Sequence, residues 1–187
     1  MRILMLIDSL DVGGAETHVE ILASELYALG HEIFVVSEGG IIRDRLAHKG
    51  IKCIYAPAVA DRGEKAEKSP MICRFLVARK IVGQTVRRVN PDLIHAHTRT
   101  TAALAKSVCK KYNVPLVVTA HAKFDMRFPK SYLSEWGART IAVSDDIGAH
   151  LVKHGLSESQ IEIINNGVIV PKKIKPCTEY SDTEEIK

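Results

Sequence analysis

The stretch ILMLIDSLDVGGAET, residues 3–17, decides the fold. Its apolar run Ile3–Ile7 predicts a buried strand, and Gly13-Gly14 with the helical pattern after it predicts a turn into a helix from about Ala15 to Leu29. Such a turn places unpaired backbone N–H groups and the positive end of a helix dipole at the carboxyl edge of a sheet. The stretch indicates an anion-binding edge, although an ordinary strand–helix turn would need the same glycines.

The same alternation of apolar strands and helix-period segments continues along the chain. Strands that are apolar throughout are typical of a parallel sheet covered by helices on both faces. The further predicted strands are Ile33–Ser37, Ile51–Tyr55, Leu93–Ala96, Leu116–Thr119, Thr140–Val143 and Ile161–Ile164. The further predicted helices are Ile41–His48, Pro70–Val89, Thr101–Tyr112, a short one before Trp136, and one from the Ser144 cap to Gly155, while residues 57–69 are predicted to form a surface loop.

The amino-acid composition limits the kinds of function that the protein could have. The net charge of +4 favours phosphate-bearing ligands or an anionic membrane surface, but it is too small to indicate nucleic-acid binding. The four cysteines are scattered without a C-x-x-C pair, so no zinc site and no disulfide framework is expected. The sequence shows neither a signal-peptide pattern nor a long apolar run, which predicts a cytoplasmic protein.

Candidate site residues follow the predicted strands, because ligands of open α/β sheets gather at the carboxyl ends of the strands. His95 and His97 flank one strand end and are expected to project to opposite faces, one inward and one toward the crevice. His121 follows the next strand and could bond a sugar hydroxyl, and Lys123 could meet a phosphate. For each histidine, a structural role in packing stays an open alternative. The candidate segments as a whole are Asp8–Glu16, Glu38, His95–Arg99, His121–Asp125 and Ser144–Asp146.

Four segments together resemble the N-terminal half of the retaining group 1 glycosyltransferases of the GT-B fold. They are residues 2–37, DLIHAHT at 92–98, VVTAH at 117–121, and TIAVSDDIGAHLVKHGLSESQIEIINNGV at 140–168. The last segment is the most specific, since its strand, serine cap, helix and Asn-Gly-Val ending have the family's order and spacing. The resemblance implies an α/β, Rossmann-like three-layer sandwich with a mostly parallel sheet of about seven strands.

The resemblance also implies roles for individual residues. His121 would be the catalytic histidine that reaches the transferred sugar, and His97 the crevice-facing histidine of the preceding strand. The amides of Gly13 and Gly14 would approach the donor diphosphate or the acceptor, Glu16 would orient their loop, and Asn166 would mark the exit to the hinge. With Lys123, these are the predicted substrate-binding residues; no metal and no cofactor is expected.

The family's second domain holds the nucleotide-sugar donor through an Arg/Lys pair and an E-x7-E segment, which this sequence lacks. The resemblance thus implies residues 1–170 as the acceptor-side domain and 171–187 as a linker toward a missing C-terminal donor-binding domain. We expect the half alone to be inactive. Its partners would be a nucleotide-sugar donor, shared with that missing domain, and a sugar, lipid-linked or small-molecule acceptor.

Several alternatives stay open at this stage. The chain could be a fragment of a longer enzyme or a free-standing, non-catalytic subunit. A basic helix carrying Arg74, Arg79, Lys80, Arg87 and Arg88 could dock a partner or the inner face of a membrane, although a solvated face has the same pattern. A nicotinamide-binding domain is disfavoured, because Gly13-Gly14 does not supply the spaced glycines of G-x-G-x-x-G.

Overall fold

The computed structural model describes residues 1–58, 70–123 and 135–167. They form one seven-stranded sheet in which every pairing is parallel, in the order β3-β2-β1-β4-β5-β6-β7. The strands are β1 Arg2–Leu6, β2 Glu32–Ser37, β3 Lys52–Tyr55, β4 Leu93–Ala96, β5 Leu116–Ala120, β6 Arg139–Ala142 and β7 Ile161–Ile163. The predicted fold class is confirmed, and each strand agrees with its prediction to within one residue at either end.

Within the described residues, five helices and one short 3-10 turn connect the strands. The helices are α1 Gly14–Ala28, α2 Ile41–His48, α3 Met71–Val89, α4 Arg99–Tyr112 and α5 Asp145–Lys153, and the 3-10 turn is Glu158–Gln160. Ser144 caps α5 by accepting a hydrogen bond from the Ile147 N–H at 3.3 Å, as the sequence predicted. Gly30 follows α1 with a φ of 86°, the left-handed conformation in which glycine commonly ends a helix.

The core lies on both faces of the sheet, because neighbouring strand residues point to opposite sides. On one face Leu4 and Leu6 pack with buried residues of α3 and α4. On the other face Ile3, Met5 and Ile7 pack with buried residues of α1 and α2. Strand β1 is therefore buried on both sides, which explains why its sequence is uninterruptedly apolar.

Helix α3 differs from its predicted orientation. Arg74 was grouped with the basic side chains of a solvated or docking face but is buried, at 4% exposure, whereas the apolar Ile72 and Leu76 are more than half exposed. The buried stripe consists of Arg74, Ala78, Val82, Thr85 and Val86. A spacing of four, four, three and one residues keeps these positions on one side of a helix, so Arg74 belongs to the stripe by position although its charge suggested otherwise.

Three sequence predictions fall on residues outside the described part of the chain. These are most of the 57–69 loop, the short helix before Trp136 and the linker 171–187. Among the helices that the structure describes, none combines the length and the apolar composition needed to cross a bilayer.

Candidate functional site

The loop after β1 is anchored to the loop after β2. The Leu10 N–H donates to the Gly39 carbonyl at 2.6 Å, and the Leu10 carbonyl accepts from the Ile42 N–H at 2.9 Å. Gly40 has a φ of 132° and lies against the backbone of Leu10 and Asp11, where a Cβ would overlap main-chain atoms. This contact fixes where the chain turns toward Gly13 and Gly14.

The N-terminus of α1 forms the glycine-lined rim predicted from the sequence. Gly13 is the residue before the helix, and Glu16, in its first turn, is 8% exposed with its carboxylate lying against Gly13. A glutamate three residues after the cap is the position from which a side chain reaches back to the cap. By contrast, a Cβ on Gly14 would meet nothing within 4 Å, so packing within the protein does not require glycine there.

A pocket of about 600 Å³ opens beside this rim. The pocket is lined by Gly13, Gly14, His18 and Asn166. It is also lined by Arg45, which lies on α2, and by Lys49, which follows that helix. Arg45 pairs with Glu20 at 3.0 Å, and Lys49 donates to Ser24 at 2.9 Å. Glu20 and Glu25 also line the pocket, so the side-chain charges balance, and the part of it that suits an anionic ligand is the set of backbone donors at the helix N-terminus.

Three histidines from three separate elements meet at the carboxyl edge of the sheet. His18 lies on α1, one helical turn after Gly14, while His97 follows β4 and His121 follows β5. The His97 Nδ1 and the His121 Nε2 are 3.5 Å apart, and the His18 ring centroid lies 5.6 Å from that of His97 and 4.8 Å from that of His121. Because His18 also lines the pocket, it connects the pocket to the two histidines behind it.

Burial lowers the pKa of all three imidazoles and so favours their neutral form. Burial lowers the pKa of His121 to about 4, with the charge of His18 as the second cause. Burial also holds the pKa of His97 well below its ordinary value, with smaller contributions from His95, His121 and His18. The pKa of His18 is lowered by burial, while a side-chain hydrogen bond with Asn166 works in the opposite direction. A neutral imidazole offers one N–H donor and one acceptor nitrogen.

The prediction that His95 and His97 project to opposite faces was wrong. Both side chains are buried, at 5% and 2% exposure, and their ring centroids are only 4.1 Å apart. Strand β4 ends at Ala96, so the alternation of an extended strand no longer applies at His97. His95 Nε2 lies 2.7 Å from Thr119 Oγ1 of β5. Its burial lowers its pKa to about 3, and it has the structural role that was the alternative interpretation.

Asp8 organises the start of α4. Its carboxylate accepts hydrogen bonds from the hydroxyls of Thr98, at 2.7 Å, and Thr100. Thr98 is the cap of α4 and forms a capping box with Thr101. A buried carboxylate at a helix N-terminus is stabilised by the helix dipole. Asp8 therefore joins the end of β1 to the segment that carries His97.

The structure brings together most of the predicted site residues. Gly13, Gly14 and Asn166 share the pocket, Glu16 supports its rim, and His97 and His121 lie next to His18. Lys123 instead pairs with Asp146 at 2.7 Å, with both side chains more than half exposed. Glu38 donates its backbone N–H to the Asp8 carbonyl at 3.0 Å. His18 was missed, although its position four residues after Gly14 places it on the same helix face.

The basic helix forms a second, separate surface. A groove of about 420 Å³ between α3 and α4 is lined by Arg79, Lys80, Arg87 and Lys111, among others. Near the start of α3, Met71, Ile72, Leu76 and Val77 are each at least half exposed. Apolar side chains exposed beside cationic ones are compatible with the docking of a partner or a membrane, which the sequence left open as an alternative to a solvated face.

Comparison with known proteins identifies a family whose model matches this sequence. The model of a family described as Glycosyltransferase Family 4 matches residues 12–170. None of the curated proteins that were compared with the chain matches it.

Solved structures share the fold. A glycosyltransferase from Rickettsia africae ESF-5 is 23% identical with a TM-score of 0.69, over 89% of this chain and 43% of its own. Anabaena Alr3699/HepE, solved with UDP-glucose, is 21% identical with a TM-score of 0.70, over 90% and 44%. The lipopolysaccharide outer core galactosyltransferase WaaB is 16% identical with a TM-score of 0.65, over 96% and 50%. The chain thus spans half or less of the length of each of these proteins.

Proposed function

The chain belongs to Glycosyltransferase Family 4, and on that premise we propose that it is the acceptor-side, N-terminal domain of a retaining GT-B glycosyltransferase. Residues 1–170 form this domain, and the residues after them lead to a second domain that holds most of the nucleotide-sugar donor. The transferred sugar would lie between the two domains, above the carboxyl edge of the sheet.

The observation that supports this proposal best is the convergence of the glycine rim and the histidines. Gly13, Gly14 and His18 line one pocket, and the His18 ring also contacts those of His97 and His121. Backbone donors suit phosphate oxygens, and neutral imidazoles suit sugar hydroxyls, because they can donate as well as accept. A nucleotide sugar carries phosphate oxygens and sugar hydroxyls within a few bonds of each other.

The chemistry divides between the two domains. In retaining transfer, the acceptor attacks the face of the sugar from which the diphosphate leaves, through an oxocarbenium-like state. His121 would bond the sugar near its reacting carbon, and the Gly13 and Gly14 amides would face the phosphates or the acceptor. Stabilising the leaving diphosphate is the largest electrostatic demand, and we assign it to cationic side chains of the second domain. The chain alone should therefore bind without turning over.

This division is tested by incubating the purified chain with UDP-glucose, the ligand solved with HepE, and measuring the release of UDP. We expect no release above that of buffer, since the groups that stabilise the leaving diphosphate would be absent. UDP-galactose, UDP-N-acetylglucosamine and GDP-mannose serve as further donors. Steady release of nucleotide from any of them, abolished by substituting His121, would refute the assignment of leaving-group stabilisation to another domain.

The substitution Gly14→Ala tests whether glycine at this position is needed for ligand binding or for folding. A methyl group at this position meets nothing within 4 Å, so the free energy of unfolding should stay unchanged or rise by up to about 1 kcal/mol. Ligand binding at the rim should weaken, because the methyl group would project toward the pocket. Urea denaturation and ligand titration measure the two effects.

The matched control is Gly13→Ala, whose added methyl group would meet the Glu16 carboxylate. It should lower both stability and binding. If Gly14→Ala destabilised the chain as much as Gly13→Ala does, the glycine at 14 would serve folding rather than ligand approach.

Three alternatives have less support. A nicotinamide-binding domain would need the spaced glycines that this rim lacks. Contact with an anionic membrane through α3 is compatible with the transferase proposal, and the exposed Ile72 and Leu76 beside Arg79 and Lys80 favour it. A free-standing, non-catalytic subunit would use the same rim to bind a sugar ligand without transferring it.

A further inference from the structure

The charges of the chain are unevenly distributed, and two neighbouring helices hold its positive excess. Helices α3 and α4 contain nine of the 26 Lys and Arg residues and none of the 22 Asp and Glu residues, which leaves 17 against 22 in the rest of the chain. Lys106 of α4 pairs with Glu135 at 2.7 Å. Six further cationic side chains of the two helices are exposed, and we call them the basic face: Arg79, Lys80, Arg87, Arg88, Lys110 and Lys111. The whole chain carries only +4, although this surface is strongly cationic.

The first two turns of α3 expose apolar side chains beside the basic face. The exposed fractions of these side chains lie between 50% and 60%, and we call the group the apolar patch: Met71, Ile72, Leu76 and Val77. Single exposed apolar residues are ordinary, whereas a contiguous group rimmed by charges is typical of an interaction site. Because the sheet is parallel, a helix that follows a strand begins near the carboxyl edge of the sheet. The apolar patch therefore lies toward the same edge as the glycine rim.

We propose that the basic face and the apolar patch dock the chain on an anionic lipid bilayer. The cationic side chains contact lipid phosphates, and the apolar patch inserts below the headgroups, as in amphipathic helices that lie in a membrane interface. Clusters of roughly four to eight Lys and Arg residues on such a helix suit anionic headgroups. This docking is additional to sugar transfer rather than an alternative to it, and it does not rest on the proposed function.

The composition of this surface favours a bilayer over a macromolecule. The apolar patch is aliphatic, so its side chains cannot stack on the bases of a single-stranded nucleic acid. Protein interfaces are depleted of charge at their centre, whereas Lys80, Arg87 and Lys111 line the groove in the middle of this surface. A layer of lipid phosphates accepts cations that are spread over two helices, because it requires no matching shape.

Sedimentation with vesicles tests the docking without any transferase assay. Vesicles of phosphatidylglycerol and phosphatidylcholine in equal parts are compared with vesicles of phosphatidylcholine alone, at low and at physiological salt. We expect the chain to sediment with the anionic vesicles far more than with the neutral ones, and to be released in part as salt screens the charges. Equal sedimentation with both kinds, or none with anionic vesicles at low salt, would overturn the proposal. Tighter binding to a single-stranded oligonucleotide in the same buffer would assign the basic face to nucleic acid and overturn it too.

Charge reversal at one position locates the contact. Arg87→Glu should weaken binding to anionic vesicles at least about fivefold, because an attractive charge next to the headgroups becomes repulsive. The matched control is Arg43→Glu, which makes the same change of charge at an exposed position of α2, on the opposite face of the sheet. It should change the affinity less than about twofold, since screening limits the reach of a distant charge. Equal losses in the two variants would show that net charge, rather than the basic face, attracts the chain.

The apolar patch is tested by Ile72→Ser combined with Leu76→Ser. Both side chains are more than half exposed, so the free energy of unfolding should stay nearly unchanged, which urea denaturation checks. Binding to anionic vesicles should weaken about tenfold, because the inserted apolar surface is lost. Unchanged binding would show that the patch stays outside the bilayer and would contradict the proposal.

The exposed Cys73 lies within the same two turns of α3 and can carry a polarity-sensitive fluorophore, in a chain whose other accessible cysteines are replaced by serine. Its emission should shift to the blue when anionic vesicles are added. The control is the same fluorophore attached through Leu29→Cys, at the exposed end of α1 on the opposite face, where no shift is expected. A shift at position 29 without one at position 73 would contradict the orientation proposed here.

Discussion

Replacing His121 with asparagine in the two-domain transferase proposed above is expected to lower the rate of sugar transfer by about 10²–10³, the effect of losing one group that bonds the reacting centre. The imidazole is held next to His97 and His18 and is neutral near neutral pH. Asparagine keeps a polar side chain but has no atom at the position of the ring Nε2. The rate constant at saturating donor should fall, with a smaller change in KM, because the contact strengthens in the transition state.

His154→Asn is the control for this substitution. His154 is an exposed histidine at the end of α5, where its Nδ1 lies 2.8 Å from the His150 carbonyl oxygen. Its replacement should leave the rate unchanged. Equal losses in the two variants, or a His121→Asn enzyme within twofold of the parent, would show that His121 does not contact the transferred sugar.

Replacing Gly40 with alanine is expected to lower the free energy of unfolding by about 3 kcal/mol. Two costs add: the backbone at φ 132° disfavours any side chain, and the new Cβ would overlap the main chain of Leu10 and Asp11. Main-chain atoms cannot rotate away as a side chain can, so the loop itself must shift. That loop leads to Gly13, and the rim should lose ligand affinity together with stability. Urea denaturation measures the first effect.

Gly30→Ala is the matched comparison. Gly30 also has a positive φ, 86°, but a Cβ there would meet nothing within 4 Å. It should cost only the conformational penalty, about 1 kcal/mol. The difference between the two variants isolates the contact between the two loops. If both variants lost the same stability, the Gly40 contact would not be what anchors the loop after β1.

The sheet could be predicted from the sequence because strands buried on both faces leave a direct signal. Ile3 to Ile7 alternate between two cores, so the run has to be apolar at every position. Two helix ends could also be located from the sequence. Ser144 supplies the side-chain oxygen that caps the start of α5, and Gly30 adopts the positive φ that follows the end of α1. The prediction that Arg74 is exposed was wrong, because its position in the helix places it in the buried stripe although its charge suggested exposure.

The candidate site could be predicted only in part. The glycine rim and His121 follow strand ends, and the rule for open α/β sheets finds them. The meeting of His18, His97 and His121 depends on how β4, β5 and α1 lie side by side, which no local pattern encodes. For the same reason, the sequence suggested opposite faces for His95 and His97, although the strand ends between them.

Under the proposed function, the glycine rim and the histidines together bind a nucleotide sugar. Nuclear magnetic resonance of the chain with ¹⁵N label tests it directly, during titration with UDP-glucose and the other nucleotide sugars to millimolar concentration. We expect the Gly13 and Gly14 amides and the His18, His97 and His121 ring nitrogens to shift together with at least one of these ligands. Shifts confined to the groove between α3 and α4, or none at the rim with any of the ligands, would contradict the account.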